Sequence, residues 1–213
     1  MLTLKQSFCR GILLLAALVW SVPVLRASVV LNSANFPDPI FRAYISQKTG
    51  VAEGGTLVDG ILKQMRTIDV KSKGIESLKG IEYFTNLDCL SAPDNNLTEI
   101  DLSNNTLLKY AYLKDNSLSS IDVSNNVNLI ELDVGNTEGK GYNKLFRLNL
   151  SNNPMLERVC CEYNNLTALV VSNLPKLRVL ECRSNQLASL NLTNNPKLVV
   201  LDCRLNQLTC VNL

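Results

Sequence analysis

The chain has 213 residues, with 21 Lys plus Arg against 19 Asp plus Glu, seven cysteines and no histidine. Without histidine the commonest general acid–base group and nucleophile activator is missing, and no glycine-rich loop of the phosphate-cradling kind occurs. The near-balance of charge gives no electrostatic case for nucleic acid or an anionic membrane surface as a partner.

Residues 1–27 place Lys5 and Arg10 ahead of an apolar run from Gly11 to Trp20, followed by Pro23 and Ala27. This order predicts a secretory signal peptide cleaved after Ala27, and hence a secreted or cell-surface protein. The run is too short to span a bilayer and no later stretch reaches about 18 uncharged residues, so no membrane span is expected. Cys9 precedes the run, which argues against a lipidated N-terminal cysteine. Three cations (Lys5, Arg10, Arg26) and no anions leave with the signal, so the remainder carries 18 cations against 19 anions, a net charge of −1.

Residues 28–86 read as an N-terminal cap and first turn. Asp38 before Pro39 is a helix-start signal, and Ile40, Phe41, Tyr44 and Ile45 then share one face of a short helix. That face is predicted to cover the first of the repeats that follow.

From Leu87 to Leu213 one unit recurs. The fourth residue of the pattern LxxLxCxxNxL falls at Leu90, Ala111, Leu132, Val159, Leu180 and Leu201, spaced by 21, 21, 27, 21 and 21 residues. An interleaved half-unit, LxxLxLSNN, begins at Leu97, Leu118, Leu145, Leu166, Leu187 and Leu208. A short fixed period signals a solenoid, because a single unit cannot bury its apolar face alone. In an extended LxLxx segment alternate residues face opposite ways, so Leu180 and Cys182 point inward while Val179, Glu181 and Arg183 point outward. Six turns at about 4.8 Å per strand would stack to roughly 25–30 Å. Neither half-unit is long enough for a full helix, which predicts a flat solenoid with short strands on both sides.

Leucines and asparagines recurring together in register resemble the bacterial secreted leucine-rich-repeat family, whose units alternate LxxLxCxxNxL with LxxLDLSxN. The run FPDPIFRAY, residues 36–44, and the segment 67–87 after it are similar to the cap and first turn of such proteins, internalin-like ones included. The resemblance implies a repeat solenoid of six 21-residue turns, mostly β, with a small helical cap, and a function in binding rather than catalysis. Relatives often carry a calcium loop after the cap helix. Laid on that pattern, Gly50, Ala52, Gly54 and Ile61 fill ligand positions without a side-chain oxygen, while Gly55 and Leu57 keep the glycine and apolar places. No metal and no cofactor are therefore expected.

Two asparagine columns, Asn95, Asn116, Asn143, Asn164, Asn185 and Asn206, and Asn104, Asn125, Asn152, Asn173 and Asn194, are predicted to satisfy backbone groups where the chain turns. Cys161, Cys182 and Cys203 occupy an inward position filled elsewhere by Ala92, Leu113 and Val134, which marks them as small core residues with free thiols. Cys89, Cys160 and Cys210 are expected to face outward. The insertion from Gly135 to Asn143 predicts a surface loop.

Function is then expected on the outward columns of the first half-unit. The candidate ligand-facing surface comprises Tyr110, Tyr112, Glu131, Asp133, Arg158, Glu181, Arg183, Asp202 and Arg204, an aromatic and charged face suited to a protein ligand. Leu208, Val211 and Leu213 would leave an apolar end open to self-association. The alternatives are a structural fragment that associates through this end, or the targeting module of a separated enzyme.

Overall fold

The computed structural model describes residues 28–139 and 143–212; the segment read as a signal peptide, the centre of the insertion and Leu213 lie outside them. The cap is built on two short helices and a hairpin. Strand β1 (Ser28–Val30) pairs antiparallel with β2 (Thr56–Val58), and between them runs α1 (Pro39–Thr49). Asp38 starts α1 because one oxygen accepts the N–H groups of Ile40 and Phe41, both at 2.9 Å, and Gly50 ends it in the left-handed region at φ 72°. The second Asp38 oxygen accepts the N–H groups of Glu76 and Ser77, at 2.8 and 3.3 Å, and so ties the helix to the first turn. Phe41, Tyr44 and Ile45 are buried as predicted, but Ile40 is 42% exposed. The tether at Asp38 docks the helix with Ile40 on its solvent side.

Phe36 sits at the centre of the cap, its ring centroid 6.1 Å from Phe41, 5.8 Å from Tyr83 and 6.3 Å from Phe84. In the loop after α1, Glu53 pairs with Arg42 at 2.9 Å, and Asp59, the first residue of α2 (Asp59–Gln64), pairs with Lys63 at 3.0 Å. Both carboxylates of that loop are thus turned toward cations.

The repeats form one parallel sheet of seven strands: β3 (Thr67–Asp69), β4 (Cys89–Ser91), β5 (Tyr110–Tyr112), β6 (Glu131–Asp133), β8 (Arg158–Cys160), β10 (Val179–Glu181) and β12 (Val200–Asp202). Equivalent residues pair strictly, as Leu90, Ala111, Leu132, Val159, Leu180 and Leu201 do across six strands. The seventh strand, β3, is the first turn of the cap region, set beside β4. The solenoid reading therefore holds, with about seven turns.

The opposite side differs from expectation. Strands form there only in the later turns, where β7 (Arg147–Asn149) pairs with β9 (Ala168–Val170) and β11 (Ser189–Asn191) with β13 (Cys210–Asn212). In the two preceding turns the equivalent position carries Asp101 and Asp122, where the later turns carry Asn149, Val170, Asn191 and Asn212. Each Asp accepts the backbone N–H two residues on, at 2.9 Å, closing a local turn, and the bonds from Ser103 and Ser124 hold the two carboxyls below the ordinary range; Asn149 and Asn191 close the same turn in the strand-forming repeats.

The first asparagine column forms as predicted. Asn116 is fully buried: its amide nitrogen donates to the carbonyls of Ala92 and Leu113, and its oxygen accepts the N–H of Leu97. Asn95, Asn143, Asn164, Asn185 and Asn206 repeat the pattern from turn to turn. The second column is displaced by one residue. The buried ladder is Asn105, Asn126, Asn153 and Asn195, with Leu174 in one turn, whereas Asn104, Asn125, Asn152 and Asn194 are exposed. Asn173 and Asn194 take φ 62°, so they serve as turn residues outside the core.

The cysteines also depart from expectation in part. Cys161 and Cys182 are fully buried, but Cys203 is only half-buried because no further described turn covers it. Cys160, on the outward face, is 5% exposed, since neighbouring charged side chains fold over it.

Candidate functional site

The outward face of the seven-stranded sheet is built from three positions per turn. The first two alternate across β4 to β12, and the third lies in the bend after each strand. Here the chain reverses through a left-handed residue at Asp94, Asp115, Tyr163, Ser184 and Leu205, with φ between 54° and 60°. The six-residue insertion follows Asn136, the equivalent residue of its turn.

Tyr110, Tyr112, Glu131, Asp133, Arg158 and Glu181 come together in the middle of this face. The Tyr112 hydroxyl donates to Glu131 Oε2 at 2.9 Å, and burial followed by this bond pushes the phenol well above its usual range. Asp133 accepts the N–H of Gly135 at 3.1 Å. Arg158 pairs with Glu181, which also accepts the Cys160 thiol at 3.1 Å. Burial first, and then this bond, raises the Cys160 thiol so far that it stays protonated. It is not an activated nucleophile.

Three residues absent from the expected set complete the arrangement: Lys114, Cys160 and Glu162. Lys114 reaches Glu162 at 3.6 Å across the intervening turn, which is possible because that turn carries Gly135. A Cβ at Gly135 would stand 2.8 Å from the Glu162 carboxyl carbon. The signal for this contact was a glycine between a lysine and a glutamate in one outward column. These side chains enclose a pocket of about 300 Å³ floored by Leu132. A second, of about 490 Å³, shares Tyr112, Lys114 and Asp133 with it and extends to Lys71 and Thr137. Burial raises the carboxyl groups of both Asp133 and Glu162 above the ordinary range.

Arg183, Asp202 and Arg204 are not part of this group. Arg183 lies over the Tyr163 ring at 5.5 Å, and Arg204 grips Asp202 through two bonds of 2.8 and 2.7 Å near the last described turn. The Arg204 bond holds the Asp202 carboxyl down to about 2. The insertion borders the face and its base is fixed. Thr137 donates its N–H and hydroxyl to Asp115, both at 2.6 Å, and Asn136 bridges to Asn143.

Among the described residues no helix is long and apolar enough to cross a membrane. No protein-family model and no curated protein matches the chain. Solved structures do. The chain is similar to the functional domain of InlJ from Listeria monocytogenes, described as including a cysteine ladder, with 24% identity, TM-score 0.52, and coverage of 86% of this chain and 49% of that one. It is similar to internalin C2 of the same organism at 20% identity and TM-score 0.58, covering 85% and 90%. The leucine-rich-repeat ectodomain of the Arabidopsis thaliana receptor kinase GASSHO1/SCHENGEN3 matches at 21% identity and TM-score 0.55, covering 69% and 19%. The likeness is one of fold: the chain is a leucine-rich-repeat solenoid of internalin-like architecture.

Proposed function

We propose that this chain is a secreted or cell-surface leucine-rich-repeat module that recognises a protein ligand noncovalently on the outward face of its seven-stranded sheet. The carrying observation is the organised centre of that face, where Tyr112 and a set of paired charges line two adjoining pockets, with Tyr110 on the same strand. Side chains already held by their neighbours lose little freedom on binding, and tyrosine adds large contact area with a polar end. The plant ectodomain above was solved in complex with Casparian strip integrity factor 2, so the fold is compatible with holding a polypeptide. Tyr110, Tyr112, Glu131, Asp133, Arg158 and Glu181 form the core of the proposed face, with Arg183, Asp202 and Arg204 along its length.

The test is selection of binders from a displayed random-peptide library, followed by hydrogen-exchange mapping. The expected footprint covers β4, β5, β6, β8 and β10, and Tyr112→Ala weakens the selected complexes roughly tenfold or more. A footprint confined to β7, β9 and β11 would overturn the assignment of the face.

A second reading rests on the last described turn. Leu201 is 37% exposed where its equivalent Leu180 is fully buried, and Val200, Leu205 and Val211 are exposed as well. Leu208 is partly covered. This apolar surface would take either a further turn or a second copy of the chain. Sedimentation equilibrium decides the second case, because self-association makes the apparent mass rise with concentration.

A further inference from the structure

Carboxylates outnumber cations at one place on the sheet. Glu131, Asp133, Glu162 and Glu181 surround the pocket of about 300 Å³, and only Lys114 and Arg158 oppose them. Arg158 is taken up by Glu181, while Lys114 meets Glu162 at the long distance of 3.6 Å. Glu162 Oε2 is shielded from solvent and has no hydrogen-bond partner among the described residues, an unfavourable state for a carboxylate. Gly135 creates the recess. Without a side chain there, Glu162 folds inward over the sheet, and Arg183, its neighbour in the next turn, rests on Tyr163 instead.

We infer that this recess receives a single basic side chain, an arginine in first place, from the protein ligand proposed above, with Glu162 and Asp133 as acceptors and Tyr112 flanking it. A guanidinium fits better than an ammonium because its planar set of donors can bridge two carboxylates and lie against an aromatic ring. The inference rests on the binding-module reading only for the origin of that side chain. Burial raises the carboxyl groups of Asp133 and Glu162, and the nearby Lys114 and Arg158 offset it only in part, which agrees with a further cation arriving from the ligand. Lys114 and Arg158 favour ionisation of Asp133 and Asp115 opposes it, while Lys114 favours ionisation of Glu162 and both Asp133 and Glu181 oppose it. Binding therefore strengthens as these carboxyls ionise and weakens on acidification.

The test is titration of isotopically labelled protein with N-acetyl-arginine amide, using N-acetyl-norleucine amide as the uncharged control. Saturable shifts are expected for the arginine derivative alone, at the amides of residues 112–114, 133–135 and 160–162. Affinity should fall roughly tenfold in Glu162→Gln. Equal responses to both compounds, scattered shifts, no shifts, or an unchanged affinity in Glu162→Gln each overturn the assignment. The spectrum of the variant reports its folding; if it fails to fold, Gly135→Ala, whose Cβ would displace the Glu162 carboxylate, takes its place. A library-selected peptide that covers the face but binds Glu162→Gln as well as the parent removes this inference and leaves the module reading standing.

Discussion

At the scale of single residues, asparagine does the work that a helix or a second sheet does in other folds. Each turn leaves carbonyls and N–H groups at its bend with no ladder partner, and the side-chain amide offers both a donor and an acceptor at once. Asn116→Ala would strand the buried N–H of Leu97, while the carbonyls of Ala92 and Leu113 each keep one bond, from Asn95 and Asn143, at a cost of roughly 1–3 kcal/mol measured by urea unfolding. Asp133 acts in the opposite direction. Its carboxyl is raised in the folded state, so ionisation at neutral pH opposes folding, and the associated stability is present at low pH and lost as pH rises through the raised value. Asp133→Asn keeps an acceptor for the Gly135 N–H and is expected to raise Tm at neutral pH. The gain should shrink as pH falls toward the ordinary carboxylate range. The one-residue displacement of the second asparagine ladder shows what residue patterns leave open. Both asparagines of an NN pair recur at the same period, and only the bend geometry selects Asn105, Asn126 and Asn153 for the core and turns Asn104, Asn125 and Asn152 to solvent.

At the scale of elements, the cap and the first turn are joined by one carboxylate. Asp38 satisfies two N–H groups at the start of α1 and two in the bend at Glu76 and Ser77. Asp38→Ala should cost roughly 2–4 kcal/mol and speed hydrogen exchange in both α1 and residues 75–78, where loss of a helix cap alone would affect only the helix. The helix itself was readable from Asp38, Pro39 and the apolar spacing. Its tether to a residue 38 positions away was not, because nothing local to either segment records the other. Strand formation on the far side shows the same limit: all turns carry the same leucine spacing, yet ladders form only in the later ones.

At the scale of the molecule, each turn is stabilised chiefly by its two neighbours, so order should erode from the less covered end. Native-state hydrogen exchange is expected to be fastest in β12 and β13 and slowest in the middle of the sheet, at β5, β6 and β8. Thiol labelling under native conditions should follow the same gradient. Cys210 is exposed and reacts first, whereas Cys161 and Cys182 are buried, the latter thiol pushed up to about 12, and react only on unfolding. Equal labelling rates for Cys210 and Cys161 would show that the stack opens as a whole.

The amino-acid sequence by itself determined the period, the inward leucine and cysteine columns, the first asparagine ladder and the three outward columns. Each depends on strand alternation and on a repeat that returns every 21 residues to the same place. Tertiary structure alone decided which outward residues meet. Lys114 and Glu162 lie two turns apart and touch because Gly135 leaves the space between them empty, while Arg183 turns aside to Tyr163. Columns follow from periodicity, but pairing within a column depends on side-chain length, on the gap left by a neighbour and on local charge, and those are settled only when the turns are stacked.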